Sequence, residues 1–234
     1  MTHSKRIKGF LKNSQIDLNK EYTLDEAVSV IAQYSKSSTT KFPESVDAHV
    51  ILGVDPSKGD QVVKSTVNLP HGTGRIVRVL VFAEGDDAKK ALEAGAVAAG
   101  GDELIDRVKN GFMDFDKCIA TPGIMRKLAP LGRVLGPRNL MPNPKLGTVT
   151  DEIVETVKSF IGGKIEYRTG KDPVVRVSIG RANFDSAKLI ENIKELVLSI
   201  KQAKPSTVKG SYIIKLHLST TMSGFSLKIP ASFL

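Results

Sequence analysis

Cationic side chains are the best-grouped chemical feature of this sequence, because they cluster in three stretches that contain no acid. The stretches cover residues 1–16, 123–150 and 196–234, and each carries four or five lysines or arginines. Such tracts are suited to neutralising the phosphates of a nucleic acid. None has the pattern of a long amphipathic helix with a basic face, which disfavours a membrane surface. The charge pattern therefore predicts a protein that binds nucleic acid.

Catalytic and nucleotide-binding motifs give little support to an enzyme. After the apolar stretch at 75–83 the chain continues as EGDDAKK, which lacks the dinucleotide glycine pattern and places aspartates where a pyrophosphate would bind. The histidines at 3, 49, 71 and 217 lack metal-ligand spacing, and no G-x-S-x-G motif occurs. We therefore expect no catalytic residue, cofactor or metal. A nucleotide-dependent enzyme built on the central segment remains the alternative.

Composition and cysteine content indicate a packed protein of a reducing compartment. The 234 residues are 41% hydrophobic and 25% charged, with a formal net charge of +9. Cys118 is the only cysteine, which excludes a disulfide framework. The first residues lack the apolar core of a signal peptide, and no apolar run reaches the ~20 residues of a spanning helix. We expect a cytoplasmic protein with no membrane partner.

Two polar stretches mix the residue types that proteins use to contact folded RNA. TTKFPES places Lys41 beside Phe42, and LSTTMSGFS places Thr221, Met222 and Ser223 just beyond a predicted strand. Simpler interpretations stay open, since Phe42 could plug the edge of a core and the hydroxyls could belong to a solvent-facing strand end. With 6% aromatic residues and no tryptophan, hydroxyl and backbone contacts are favoured over wide stacking platforms.

The elements that would position these residues form different patterns at the ends and in the middle of the chain. At the ends, Thr23 and Glu26 predict a capping box before a helix. The terminal elements expected are helix 24–34, strands 46–54 and 61–69, then strands 163–168 and 174–180, helix 184–205 and a final strand 210–219. The middle alternates strand and helix, as in a parallel sheet covered on both faces. The fold class expected is α+β and α/β, with a discontinuous α+β domain at 1–69 plus 161–234 interrupted by an α/β domain at 70–160.

The segment LGRVLGPRNLMPNPKLGTV, residues 131–149, is expected to be an irregular basic loop of the middle domain. Proline lacks an amide proton and glycine costs backbone entropy in either regular element. No phosphate-loop spacing occurs in it, which disfavours nucleotide binding. Its cations Arg133, Arg138 and Lys145 are expected to make secondary phosphate contacts. Just beyond it, Thr148 and Asp151 are expected to cap the next helix.

Several motifs resemble those of the large-subunit ribosomal protein L one family in its bacterial form. They are LGPRNLMPNPKLGTV, with LGVDPSKGDQVVKSTVNLPHGTG and GFMDFDKCIATP before it and GKIEYR and STTMS after it. The resemblance, which spans about residues 22–223, implies that the inserted domain is a Rossmann-like three-layer α/β/α domain. It also implies a cytoplasmic, ribosome-bound protein of the mobile lateral stalk. The implied partners are 23S ribosomal RNA, exit-site transfer RNA, the messenger RNA of its own operon and other components of the large subunit.

The resemblance further implies a patch of residues that contacts ribosomal or messenger RNA. The patch consists of Lys41, Phe42, Ser45, Glu166, Arg168, Thr221, Met222 and Ser223. In it Thr221 and Ser223 would hydrogen-bond sugar or phosphate groups, and Met222 would supply a shape contact. Lys41 and Arg168 would attract phosphates, while Glu166 would orient cations or accept from a 2′-hydroxyl.

One position departs from the family pattern. Where the family has glycine and then proline after Thr-Met, this chain has Ser223, Gly224 and Phe225. A side chain at Ser223 would obstruct the RNA backbone if φ there were positive.

The favoured function is a non-catalytic stalk protein that assists release of deacylated transfer RNA and represses its own operon. A free repressor whose main target is messenger RNA is a third possibility beside the enzyme.

Overall fold

The computed structural model of the protein describes residues 5–14, 16–18, 20–37 and 40–233. His3 and the start of the basic stretch at 1–16 lie outside the described residues. The chain divides into two compact units. The first is made of Met1–Gly74 and Glu166–Leu234, and the second is Arg75–Ile165.

Helices and strands occur in both units. In chain order, the described part of the chain forms α1 (Lys5–Asn13), α2 (Leu24–Ser37), β1 (Ser45–Leu52), β2 (Lys64–Asn68), β3 (Val79–Phe82), α3 (Asp86–Glu93), β4 (Ala98–Gly100), α4 (Asp102–Lys109), β5 (Lys117–Ala120), α5 (Met125–Leu128), α6 (Gly132–Leu135), α7 (Ile153–Gly162), β6 (Lys164–Arg168), β7 (Val174–Arg181), α8 (Ser186–Gln202), β8 (Ile213–Thr220) and β9 (Ser226–Pro230).

A four-stranded antiparallel sheet, in the order β7-β1-β8-β9, forms the centre of the first unit. Along β1 the side chains of Val46, Ala48 and Val50 are buried, and helices α2 and α8 pack against the sheet and each other. Asp47 and His49 alternate with them and are only partly buried. The sheet therefore has one covered face and one more open, polar face, as the alternation in the sequence predicted.

The capping box before α2 is confirmed. The Thr23 backbone N–H donates to Glu26 Oε2 at 3.0 Å, and the Glu26 N–H donates to Thr23 Oγ1 at 3.3 Å. These bonds satisfy two amides that the first helical turn leaves without partners. The hydrogen bond from the Thr23 backbone is the main reason that the pKa of Glu26 is lowered.

The end of the chain contains one more strand than the sequence predicted. β8 ends at Thr220, and β9 then runs antiparallel to it, with Leu218 opposite Leu227. In β9 the buried Leu227 and Ile229 alternate with partly buried polar positions. The alternation covers only five residues after a glycine-containing turn, which is too short to predict a strand without its partner.

The second unit contains a three-layer α/β/α arrangement, which confirms the predicted fold class. Its parallel sheet has the order β4-β3-β5. On β3, Leu80 and Phe82 pack into one hydrophobic core together with residues of α4, α5 and α6. Val79 and Val81 pack into another core with residues of α3 and α7. Both faces of the short sheet are therefore covered, which explains its continuous apolar sequence.

The segment at 131–149 is more ordered than predicted. It contains α6 and a single 3-10 turn at Pro144–Leu146, because Leu131, Leu135 and Leu146 are buried and fix it to the second unit.

The capping box predicted at Thr148 and Asp151 is wrong. Helix α7 begins at Ile153, and its N-cap residue Glu152 makes no side-chain capping bond. Thr148 is buried instead, where its Oγ1 accepts from the Asn143 N–H at 2.7 Å and donates to the Asn143 carbonyl at 3.1 Å. The threonine therefore closes the preceding loop rather than the following helix.

Candidate RNA-binding surface

The predicted residues of the first loop and of the β8–β9 turn meet at one end of the four-stranded sheet. We call this site the sheet corner, and it comprises residues 40–45 and 220–225. Because β1 and β8 are antiparallel, the first residues of β1 lie beside the last of β8, with Val46 opposite Thr220. The Thr221 N–H donates to the Ser45 carbonyl, and the Ser45 N–H donates to Thr221 Oγ1, both at 3.1 Å.

A buried carboxylate holds the sheet corner together. Glu44 is only 3% exposed. Its Oε2 accepts from Thr220 Oγ1 at 2.7 Å and from the Met222 N–H at 3.1 Å, while its Oε1 accepts from Thr40 Oγ1 at 3.2 Å. Charge-assisted hydrogen bonds of this kind are stronger than neutral ones and satisfy the buried charge. Glu44 therefore fixes the loop before β1 against the turn after β8.

Four of the residues predicted to contact RNA face outward at the sheet corner. Lys41 and Thr221 are exposed, Phe42 is 50% exposed and Met222 is 46% exposed. Phe42 therefore does not plug the edge of the core, which was the simpler interpretation of that residue. A cation, an aromatic ring, a hydroxyl and a flexible apolar side chain are thus presented together.

Ser223 lies inside the turn and not on its surface. It is 1% exposed, and its Oγ accepts from the Thr220 N–H at 3.2 Å. The same hydroxyl lies 2.9 Å from the Phe225 carbonyl, to which it donates. Gly224 takes the left-handed backbone with φ of 60°, and Ser223 has no positive φ. The obstruction considered for a side chain at position 223 is therefore absent, because the glycine that the turn needs stands one residue later.

Arg181 contacts the sheet corner from β7, and nothing in the sequence indicated this role. It stands opposite Ser45 in the β1–β7 register, and its Nη1 donates to the Pro43 carbonyl and to Ser45 Oγ, both at 3.2 Å. Glu44 was missed as well. A single acid or arginine at the end of a strand pattern carries no local signal, because most of the partners of Glu44 and Arg181 are more than a hundred residues away in the sequence.

Glu166 and Arg168 lie on a different sheet from the sheet corner. They belong to β6, which pairs with β2. Residues two apart on a strand share a face. Tyr167 between them points the other way, where it is buried with its hydroxyl 2.9 Å from Ser199 Oγ. Glu166 is partly buried and Arg168 is exposed.

The three cations of the 131–149 segment belong to the second unit. Arg133, Arg138 and Lys145 are all exposed. Asn143 Oδ1 accepts from the Lys145 N–H at 2.9 Å, and the buried Thr148 holds Asn143 from the other side. The backbone that carries Lys145 is therefore fixed by local hydrogen bonds.

The carboxyl edge of the parallel sheet, where α/β enzymes bind nucleotides, carries an ion-pair cluster. Lys127 Nζ donates to Glu84 Oε1 at 2.8 Å and to Asp102 Oδ2 at 3.0 Å. The hydrogen bond to Glu84 is the main reason that the pKa of Lys127 is raised. Two carboxylates already engage Lys127, so these ion pairs offer little attraction to a phosphate.

The described residues contain neither a cluster of metal-ligating side chains nor a membrane-spanning helix. No group of three or more histidine, cysteine, aspartate or glutamate side chains there could hold a metal ion. Within the same residues, no helix combines the length and apolar character needed to cross a membrane.

Comparisons with known proteins agree on one family. A family model described as the Ribosomal protein L1p/L10e family matches residues 33–224. The chain is 46% identical over 220 residues to the large ribosomal subunit protein uL1 of Chlamydia trachomatis serovar L2b, an alignment that covers 94% of this chain and 93% of that protein. The uL1 protein of Chlamydia trachomatis serovar D has the same identity and coverage.

Proposed function

Because this chain belongs to the Ribosomal protein L1p/L10e family, we propose that it binds 23S ribosomal RNA with the sheet corner as its principal contact. The chain is a structural protein of the large subunit of the cytoplasmic ribosome. The proposal concerns three further points: the RNA that the protein binds, the residues that contact it, and the effect of binding.

The observation that carries the proposal is the exposed group at the sheet corner, which the buried Glu44 supports. RNA recognition combines phosphate attraction, hydrogen bonds to 2′-hydroxyls and contact with unstacked bases or sugar edges. Lys41 supplies the charge, and Thr221 supplies a hydroxyl. Thr221 Oγ1 lies 3.4 Å from the Ser45 carbonyl, a long contact that leaves its proton able to turn towards RNA. Phe42 and Met222 supply the apolar contact.

The remaining predicted residues have supporting roles in this proposal. Ser45 and Ser223 hold the sheet corner from inside, since their hydroxyls already contact Arg181 and the Phe225 carbonyl. Arg168 attracts a neighbouring phosphate, and Glu166 on the same face of β6 orients cations or accepts from a 2′-hydroxyl.

The domain assignment follows from the same residues. We assign RNA binding to the discontinuous domain expected at 1–69 plus 161–234, and the inserted domain at 70–160 provides secondary phosphate contacts through Arg133, Arg138 and Lys145. The ion pairs at the carboxyl edge of the parallel sheet disfavour the nucleotide-dependent enzyme.

Two consequences complete the proposal. As a protein of the lateral stalk, the chain assists the release of deacylated transfer RNA from the exit site, which is a mechanical role without catalysis. The same sheet corner binds a similar motif on the messenger RNA of its own operon and represses translation. Other components of the large subunit are its further partners.

A footprint on total ribosomal RNA tests the main proposal. Protection confined to the lateral stalk region of 23S RNA is the expected result, and protection elsewhere with none at the stalk would overturn the assignment. Measuring affinities for the stalk fragment and for an operon messenger fragment at one salt concentration then separates a ribosomal protein from a free repressor, because only a free repressor would prefer the messenger.

The variant Thr221→Val tests the contact residue. It removes a hydroxyl that accepts from the Ser45 N–H and faces RNA, so we expect binding to the stalk fragment to weaken by about 1–3 kcal/mol. Thr207→Val is the matched control, because Thr207 is exposed in the segment between α8 and β8. Unchanged affinity of the Thr221 variant would remove this residue from the site.

A further inference from the structure

The open face of the four-stranded sheet carries one basic side chain on each strand, in a single line. His49 on β1 is the register partner of Arg176 on β7 and of His217 on β8, and His217 is in turn the partner of Lys228 on β9. We call Arg176, His49, His217 and Lys228 the basic row. With neighbouring strands about 4.8 Å apart, the row is roughly 14 Å long. It can therefore face more than one phosphate of an RNA strand.

A parallel line of small polar side chains lies beside the basic row. Ser178, Asp47, Ser219 and Ser226 are the corresponding register partners across the same four strands. This line lies between the basic row and the sheet corner, because Ser219 and Asp47 are each two residues from the corner positions Thr221 and Ser45. The open face is thus continuous with the proposed RNA contact.

We propose that the basic row is a second contact surface for the sugar-phosphate backbone of the bound RNA, and that His49 takes up a proton when the RNA binds. This inference rests on the proposed function. An RNA strand fits the face better than an acidic protein segment because the serines beside the cations can bond 2′-hydroxyls, which RNA presents next to its phosphates.

The surroundings of His49 determine when it is charged. The charged groups on the same face are Asp47 on β1, Arg176 on β7 with its partner Asp172, Lys215 and His217 on β8, and Lys228 on β9 beside Glu21. Burial is the main cause of the lowered pKa of His49, Arg176 lowers it further, and Asp47 opposes both. His49 is therefore neutral in the free protein at neutral pH, with Nε2 at 3.1 Å from Ser219 Oγ.

His217 is the less suitable proton acceptor of the two. Burial is the main cause of its lowered pKa, followed by Lys215, Lys228 and His49. Its Nδ1 lies 3.3 Å from Ser226 Oγ, while its Nε2 is enclosed without a hydrogen-bond partner among the described residues. Protonation would add a buried N–H without an acceptor, which is costly. A phosphate on the basic row therefore raises chiefly the pKa of His49.

The pH dependence of RNA binding tests the proposal. Proton uptake on binding means that affinity rises as the pH falls, starting near the pKa of His49 in the complex and levelling off below its pKa in the free protein. Each unit by which RNA raises that pKa corresponds to roughly a tenfold gain in affinity. The full chain and a transcribed stalk fragment of 23S RNA are measured at about pH 6 and about pH 8, at one ionic strength.

The variant His49→Gln keeps a hydrogen-bonding amide near Ser219 but cannot take up a proton at these pH values. We expect it to lose most of the gain in affinity that the unmodified chain shows when the pH is lowered from about 8 to about 6. His71→Gln is the matched control, because His71 lies outside the basic row and contacts Glu191. It should keep the full pH response.

Two outcomes would overturn this inference alone, and a third would overturn the proposed function as well. A His49→Gln variant with the full pH response excludes proton uptake by His49. Proton uptake is also excluded if an NMR titration gives His49 the same pKa with and without the stalk fragment. This measurement uses the unmodified chain and does not depend on the folding of a variant. Failure of the unmodified chain to bind the stalk fragment at either pH overturns the proposed function, and this inference with it.

Discussion

At the residue scale, Glu44 has the largest structural effect at the proposed RNA contact, although it does not face RNA. Its carboxylate accepts hydrogen bonds from Thr40, Thr220 and Met222. The position of exposed side chains at the sheet corner therefore depends on a residue beneath them. The sequence indicated the exposed residues through their types, but it could not indicate Glu44 or Arg181, because most of their partners come from distant parts of the chain.

Replacing Glu44 by Gln should weaken both stability and RNA binding. Gln has one acceptor oxygen and one NH₂ group, so it cannot accept at both positions as the two carboxylate oxygens do, and it has no charge to strengthen the bonds. We therefore expect the free energy of unfolding to fall by about 1–3 kcal/mol. Urea unfolding measures the change. Glu195→Gln on the exposed side of α8 is the control, and equal stability of the two variants would contradict the role given to Glu44.

Gly224 is the residue at which the turn of the sheet corner tolerates no side chain. Its φ is 60°, and an added Cβ would lie 2.9 Å from Ile7 Cδ1. We expect Gly224→Ala to destabilise the protein by about 1–2 kcal/mol, the cost of a left-handed backbone for an L-residue. Thermal unfolding provides the measurement. Gly59→Ala serves as the control, because a Cβ added there meets no atom within 4 Å. A similar loss of stability in both variants would contradict the need for glycine at position 224.

At the scale of elements, the sequence predicted those features whose hydrogen bonds are local. The capping box at Thr23 and Glu26 joins residues three apart, and the structure has it as predicted. Thr148 has the same spacing to Asp151, yet its hydroxyl bonds Asn143 instead. The difference is burial, because Leu146 and Thr148 are buried in the second unit, and α7 begins only at Ile153, five residues after Thr148. Whether a residue is buried in this way depends on the tertiary structure, so the local sequence could not show it.

The capping box gives α2 a pH-dependent contribution to stability. The pKa of Glu26 is lower in the folded chain than its ordinary value of 4.5, so its contribution is complete above that value. It is lost as the pH falls through the lowered pKa. Urea unfolding at neutral and acidic pH should show that Glu26→Gln is less stable than the unmodified chain only at neutral pH. A difference that persists in acid would mean that the carboxylate charge is not its cause.

At the scale of the whole molecule, the proposed RNA contacts in both units share an excess of positive charge. The formal net charge is +9, and the exposed cations include Lys41 and Arg168 in the first unit and Arg133, Arg138 and Lys145 in the second. Net charge of this sign accelerates association with RNA and makes the affinity depend on salt. The half-covered terminal strand and the middle sheet covered on both faces could be predicted from the apolar patterns. Which cations share a surface could not be predicted, because that depends on strand register.

The salt dependence of binding tests the phosphate contact of Lys41. Neutralising a residue that pairs with one phosphate reduces the slope of log affinity against log salt concentration by about one. We expect this for Lys41→Gln with the stalk fragment, measured as a series of binding curves at increasing salt. Lys209→Gln, at another exposed position of the first unit, should leave the slope nearly unchanged. Equal slopes for Lys41→Gln and the unmodified chain would place Lys41 away from phosphate.

The hydrogen bonds at the sheet corner also set the order of events during synthesis of the chain. Ser45 and Thr221 are separated by 176 residues, and β1 lies in the sheet between β7 and β8, both made much later. A nascent chain released from the exit tunnel only as far as α8 has therefore exposed Lys41 and Phe42 but lacks the strand and turn that position them. Such a chain cannot form the RNA contact. The proposed RNA contact can therefore form only after β8 and the turn that follows it have emerged.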